Sequence, residues 1–465
     1  MICRTNRSNR RRHSLLVTVV LAATGFAGLT LAPGAPAAAP NATCADAAAP
    51  SGAPAGTPPG GGSFAFAAGG DMGCSPDAAA TLEGIHAAGV DFAIHFGDMA
   101  YDQAPAPYET TWCNFVKDRL GASFPYEVVT GGHDLDEGPT KGAQYEGSID
   151  KYTSCVPDRM GSTSVGSAGY GKEYFFDHPA AAPLARIIMI SPSITMPDGT
   201  LFDYTANPPS THYQWLVDAI DGARAAGIRW VIVGMARNCI SAGEKHCEIG
   251  QDVLNLLVDK KVDLILQGHE HGYERSKQFT SGPNCPALPV NSPAPAACIA
   301  NDGSNGTYTK DAGPVLVIAG TLGIGQRPMY PQDPEAPDFV TVSGARCSPG
   351  VFAPANGTPL AQNSVPCNPQ PAPGFMKYTV SADRIAATFV ANTPGRFTDS
   401  FTITDPHPGP LPTVTPPAPA PGQPDPSPGT PPAASPTKTA AGYWMLGARG
   451  VVYPFGAAAS YGDGP

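Results

Sequence analysis

Charge is scarce in this sequence: only 14% of its 465 residues are Asp, Glu, Lys or Arg. With 42% apolar residues, that share argues against a disordered polyelectrolyte or a fibre, and the length supplies one large buried core or two ordinary ones. Acidic residues are missing from the first 37 positions, where five arginines (Arg4, Arg7, Arg10, Arg11, Arg12) precede an apolar run from Leu15 to Leu31 and the small triplet Ala35-Pro36-Ala37. This order predicts a secretory signal peptide over 1–37, with an uncleaved anchor as the alternative. The Arg11-Arg12 pair weakly suits the twin-arginine type. Loss of those arginines leaves 23 basic residues against 39 acidic ones, a net charge of −16, which argues against nucleic acid as a partner.

Glycine and proline, at 53 each, are in excess and gather in two stretches. Residues 38–62 read as a flexible leader, and 406–440 as an extended Pro-rich linker. Ten cysteines remain once Cys3 is set aside with the signal, and an even number in an exported chain predicts disulfides. Pairing between neighbours along the chain closes short loops, the tightest being Cys239 with Cys247 and Cys285 with Cys298.

Between 63 and 405, short β-branched and apolar runs alternate with helix-length segments, the pattern of a sheet covered by helices. Strands are expected at Phe64–Ala68, Phe92–Phe96, Tyr126–Val129, Arg186–Ile190, Trp230–Val233, Val262–Leu266 and Val315–Ile318. Helices are expected at Pro76–Ala88, Thr211–Ala226 and Gly250–Asp259, and an antiparallel meander at Phe375–Val380, Arg384–Val390 and Phe401–Thr404. Gln103–Arg119 and Gly138–Gly171 read as specificity-setting loops.

Several of these strands run into polar clusters: Gly70-Asp71-Met72-Gly73, Gly97-Asp98-Met99-Ala100-Tyr101-Asp102, Gly131-Gly132-His133-Asp134 and Gly268-His269-Glu270-His271. In open α/β sheets ligands collect at the carboxyl ends of strands, so Asp, Tyr and His at these ends imply one shared metal site. These motifs, with GHEHGYERS at 268–276, IHFGD at 94–98 and QWL at 214–216, resemble the metallophosphoesterase (calcineurin-like) superfamily in its purple acid phosphatase branch. That family carries GDxG, GDxxY, GNH(D/E), VxxH and GHxHxYER in this order. The resemblance implies an α/β calcineurin-like metallophosphoesterase fold, a β-sandwich flanked by helices (α-β-β-α), acting on phosphate esters.

It further implies a first metal, iron, on Asp71, Asp98, Tyr101 and His271, with Asp98 bridging to a second. The second ion in the family takes the bridging Asp, the Asn of GNH, the His of VxxH and the first His of GHxH. This chain has Gly132 and Ala236 at two of those places, leaving Asp98 and His269, too few for firm Zn²⁺, Mn²⁺ or Fe²⁺ binding. His246 and Asp134 are the nearest replacements in sequence. His133 and His269 are the expected catalytic residues facing the substrate, His133 assisting the leaving oxygen. His95 reads as structural, Tyr273 and Arg275 as support behind the ligands, and His86, His178, His212 and His407 as surface or core residues. The turn Gly320–Gln326 follows a strand but lacks the Lys-Ser/Thr ending of a phosphate loop.

Residues 441–465 resemble one incomplete copy of the GYW…GGVFxFG repeat of secreted actinobacterial proteins, which suits a cell-envelope partner. Two functions follow: an exported phosphoesterase with a degraded second site, or a non-catalytic metal- or phosphate-binding descendant.

Overall fold

A computed structural model describes Cys44 and residues 62–408 except 102, 105–106, 136–147, 164–167, 197, 353–358 and 362–363, and the backbone of 442–446 and 452–456. The predicted signal peptide, most of the leader and nearly all of the linker lie outside the described residues. In chain order the first half contains β1 (Phe64–Gly69), α1 (Pro76–Ala88), β2 (Phe92–His95), α2 (Tyr108–Leu120), β3 (Tyr126–Val128), α3 (Ile149–Cys155), β4 (Tyr174–His178), β5 (Ala185–Ile190) and α4 (Thr211–Ala225). There follow β6 (Trp230–Met235), α5 (Gln251–Asp259), β7 (Leu264–Gln267), β8 (Tyr273–Phe279), β9 (Ile299–Asn301), β10 (Thr307–Thr309), β11 (Val315–Ala319) and β12 (Phe339–Ser343). The unit closes with β13 (Cys367–Asn368), β14 (Gly374–Val380), β15 (Arg384–Ala391) and β16 (Ser400–Thr404).

These strands form two sheets, one ordered β10-β16-β15-β14-β1-β2-β3 and the other β13-β12-β8-β11-β7-β6-β5-β4, with β9 paired to β8. The sheets pack face to face through alternate side chains: Phe64, Phe66, Phe92 and Ile94 of the first meet Phe176, Ile187, Met189, Ile232 and Leu264 of the second. A second apolar layer joins α1 and α2 to the outer face of the first sheet, and a third joins α4 and α5 to the outer face of the second. The order of layers is therefore α-β-β-α.

Local chemistry explains the helices that the sequence predicts. Ser75 caps α1 by accepting a hydrogen bond from the Ala78 amide, Pro76 opens its first turn, and Gly89 closes it in the left-handed region at φ 60°. Ser210 caps α4 in the same way, and Trp215, Leu216, Ala219, Ile220 and Ala223 form its buried face. The pairing of β1 with β2 and of β2 with β3 is parallel, as is that of β5, β6, β7 and β11 in the second sheet. Parallel pairing brings the carboxyl ends of neighbouring strands to one edge, and the polar clusters follow those ends.

The structure departs from the sequence-based expectation in three segments. Gln103–Arg119 is mostly the helix α2, whose Trp112, Phe115 and Val116 are buried, and the 138–171 segment contains α3. Strand β8, Tyr-Glu-Arg-Ser-Lys-Gln-Phe, is too polar to read as a core strand, yet six of its seven residues are buried between β11 and β12. All five disulfides join neighbours in the chain: Cys44–Cys74, Cys113–Cys155, Cys239–Cys247, Cys285–Cys298 and Cys347–Cys367. Among the described residues no helix is long and apolar enough to cross a membrane. In the separate carboxy-terminal unit, Gly442–Leu446 and Val452–Gly456 pair as an antiparallel hairpin.

Candidate metal centre

The loops after β1, β2 and β7 place Asp71, Asp98, Tyr101, His269 and His271 together. The Tyr101 Oη is their meeting point: it donates to Asp71 Oδ1 at 2.6 Å and lies 3.1 Å from His271 Nε2 and 3.4 Å from Asp98 Oδ2. His271 Nε2 is also 3.3 Å from Asp71 Oδ1. Donor atoms bound to one ion at about 2.0–2.2 Å are separated by comparable distances, so these residues fit a first metal. Two carboxylates, a phenol and one imidazole make a set rich in hard oxygen, suited to a highly charged cation such as iron.

The backbone pays for this arrangement. Asp71, Asp98, Tyr101 and His269 all adopt left-handed conformations, with φ of 63°, 56°, 49° and 68°. Non-glycine residues seldom do so, and such strain concentrates where a site overrides local preference. The loops hold it by pairing: the amides of Asp71, Met72 and Gly73 donate to the carbonyls of Gly97, Asp98 and Met99. A side chain at Gly131 would run into the Asp98 carboxylate, so the β3 loop approaches only as glycine.

Burial and partners set the charges. Burial pushes Asp71 up, but His271 and the Tyr101 hydroxyl outweigh it and leave the carboxyl below its ordinary range. Asp98 is buried too, yet His269 and His133 hold it well below that range. Burial beside these two acids drives Tyr101 far above its usual value, so without an ion the phenol keeps its proton. Burial draws His269 down, while Asp98 and Glu248 together lift it to about 9.

At the second metal position the residues do not fit an ion. His269 Nδ1 lies 3.9 Å from Asp98 Oδ2, but Gly132 and Ala236 contribute no side-chain donor. The two proposed replacements are engaged elsewhere. Both Asp134 carboxylate oxygens accept backbone amides, from Asp98, Met99 and Gly131, so this residue braces the loops. His246 sits beside Asp333 and Glu335. Glu248, which sequence reasoning missed, accepts a hydrogen bond from His269 Nε2 through Oε1 at 2.9 Å. That nitrogen is across the ring from Nδ1, so Glu248 orients His269 and stays outside any ion shared with Asp98.

His133 packs its ring 4.4 Å from that of Tyr101, and its amide donates to Asp98 Oδ1 at 2.8 Å. His95 is fully buried against Trp112 and Tyr126, as its place inside β2 suggests, and burial lowers it to about 4. Tyr273 and Arg275 are not behind the ligands: both bind Asp399, Tyr273 Oη at 2.6 Å and Arg275 through Nε and Nη2 at 2.6 and 3.0 Å. The Gly320–Gln326 turn is what supports the ligands. Gly325 offers its carbonyl to His271 Nδ1 at 3.1 Å, and the Ile324 amide donates to the Asp71 carbonyl. Within GHEHGYER, His269 and His271 thus face the centre, while Glu270 and Glu274 accept the amides of Glu244, Lys245 and Ala242 in the Cys239–Cys247 loop.

Two sheets sandwiched between helices, with Asp, Tyr and His at parallel strand ends, define a calcineurin-like phosphoesterase fold. Residues 64–273 match the family model described as calcineurin-like phosphoesterase. The domain is a calcineurin-like metallophosphoesterase domain with purple acid phosphatase homologues. Probable purple acid phosphatase 20 of Arabidopsis thaliana is 26% identical over 216 residues, 45% of this chain and 46% of that protein. Phosphoenolpyruvate phosphatase of Allium cepa is 24% identical over 257 residues, 52% of this chain and 49% of that one. The chain thus spans about half the length of the curated relatives it matches. A solved purple acid phosphatase from yellow lupin (Lupinus luteus) seeds aligns at 18% identity and a TM-score of 0.46, covering 76% of this chain and 55% of that one.

Proposed function

We propose that residues 63–405 are an exported metal-dependent phosphoesterase that hydrolyses phosphate monoesters at a centre held by Asp71, Asp98, Tyr101 and His271. The observation that carries this reading is the convergence of those four side chains on the Tyr101 Oη, held by loops in left-handed conformations. The donor set suits iron, which when bound polarises a phosphoryl oxygen. His269, which faces Asp98 and is oriented by Glu248, stands beside the substrate, and His133 over Tyr101 supplies a donor for the leaving oxygen. No step is assigned to a second ion, because Asp98 and His269 alone do not make its site.

Export through the segment 1–37 agrees with the five disulfides. The 441–465 repeat then offers a contact for a cell-envelope partner. The vacant ligand places at Gly132 and Ala236 favour a second reading, a non-catalytic protein that binds metal or phosphate. Steady-state hydrolysis of an aryl phosphate by the mature chain decides between them. Turnover above that of Asp98→Ala is expected, and equal rates for the two would leave the non-catalytic reading.

A further inference from the structure

Behind the candidate centre, the Cys239–Cys247 loop meets the segment before β12 at a group of side chains that the phosphoesterase chemistry does not use. His246, Asp333 and Glu335 each offer a ligand atom, all within 4.8 Å of one another. Asp333 and Glu335 are 1% and 0% exposed. Glu335 is braced by the amides of Ser241 and Asn291, at 3.0 and 2.6 Å, and Asp333 Oδ1 accepts the Glu335 amide at 3.0 Å. What remains is unpartnered: Asp333 Oδ2 and both ring nitrogens of His246 are buried with no hydrogen bond. His246 Nδ1 is 3.7 Å from Glu335 Oε2, beyond hydrogen-bond reach.

Native interiors seldom leave such atoms bare. Among the described residues no lysine or arginine forms an ion pair with Asp333 or Glu335, and the side-chain cation facing them is His246 when protonated, 3.7 Å from Glu335 Oε2. A small cation balances all three at once. Ligands at about 2.1 Å from a tetrahedral ion stand about 3.4 Å apart, close to the His246–Glu335 separation. One imidazole with two carboxylates selects the zinc and manganese class over calcium or magnesium, which take oxygen ligands.

We propose that His246, Asp333 and Glu335 form a separate site for Zn²⁺ or Mn²⁺, completed by water, that clamps the Cys239–Cys247 loop to the segment leading into β12. The clamp lies two residues before Glu248, which orients His269, so it also steadies the candidate centre. The site does not depend on the phosphoesterase reading.

The test therefore uses the mature chain with the first centre removed by Asp71→Asn and His271→Ala. This background is equilibrated with ZnCl₂ or MnCl₂, freed of excess metal and analysed for metal per chain and melting temperature. Retention of one ion with a raised melting temperature is expected, and both are lost on adding Asp333→Asn, which preserves shape. His246→Ala gives the same loss. A folded Asp333→Asn chain, checked by circular dichroism, that holds as much metal as its parent overturns the site. So does a parent that binds none.

Discussion

Among the described residues the Tyr101 hydroxyl is the atom in contact with both carboxylates and the His271 ring, so the centre is most sensitive there. Tyr101→Phe is expected to weaken metal retention at least 10–100-fold, the range for losing even a supporting partner, and to abolish any tyrosinate charge-transfer band. Elemental analysis and the visible spectrum of one sample check both. Gly132 has the opposite character: a Cβ there would find its nearest neighbour, Asp98 Oδ1, 4.0 Å away, so a side chain fits. Gly132→Asn with Ala236→His is expected to raise metal content and phosphate-ester turnover together, and unchanged values would show that these positions do not limit the protein. Away from the centre, burial raises Glu127 from 4.5 to about 8. Between those values the folded state holds a proton that the unfolded state has released. Stability therefore falls as pH rises through that window, by up to about 1.4 kcal/mol per pH unit for this group. Urea titrations at pH 5 and 8 should show the fall, and a smaller one in Glu127→Gln.

At the level of elements, α1 and the Gly320–Gln326 turn act as one support. Ser75 caps the helix through the Ala78 amide at 3.1 Å and donates to the Gly323 carbonyl at 2.7 Å, two residues from the carbonyl that holds His271. Ser75→Ala should cost about 1 kcal/mol in urea unfolding. Strand β8 is held differently. Its polar residues are buried because each has a partner from another element: Arg275 and Tyr273 on Asp399, and Glu274 on the Ala242 amide. The element is legible only with its partners, since its own pattern lacks apolar alternation.

For the molecule as a whole, the disulfides restrain loops of very different length. Cys113–Cys155 closes 42 residues and Cys239–Cys247 only 8. In the chain-entropy account their removal by paired Cys→Ser substitution costs about 4 and about 2.5 kcal/mol. Thermal unfolding should rank them in that order; a reversal would mean that the short loop also carries native contacts, such as those through Glu270 and Glu274.

The sequence alone determined the strands that lead into Asp71, Asp98, His133 and His269, the helices that open near Pro76 and Thr211, and the Gly132 and Ala236 that stand where the resemblance expects Asn and His. Each of these is a local matter, in which hydrophobic period, capping chemistry or a contiguous motif acts over a few neighbouring residues. Tertiary structure alone decided that Glu248 orients His269, that the Gly325 carbonyl holds His271, that Arg275 binds Asp399, and that His246 joins Asp333 and Glu335. Those partners lie 21, 54, 124 and, for His246 with Asp333 and Glu335, nearly 90 positions apart. They meet because sheet pairing brings distant loops to one edge, and no pattern within either segment records which loop will face it.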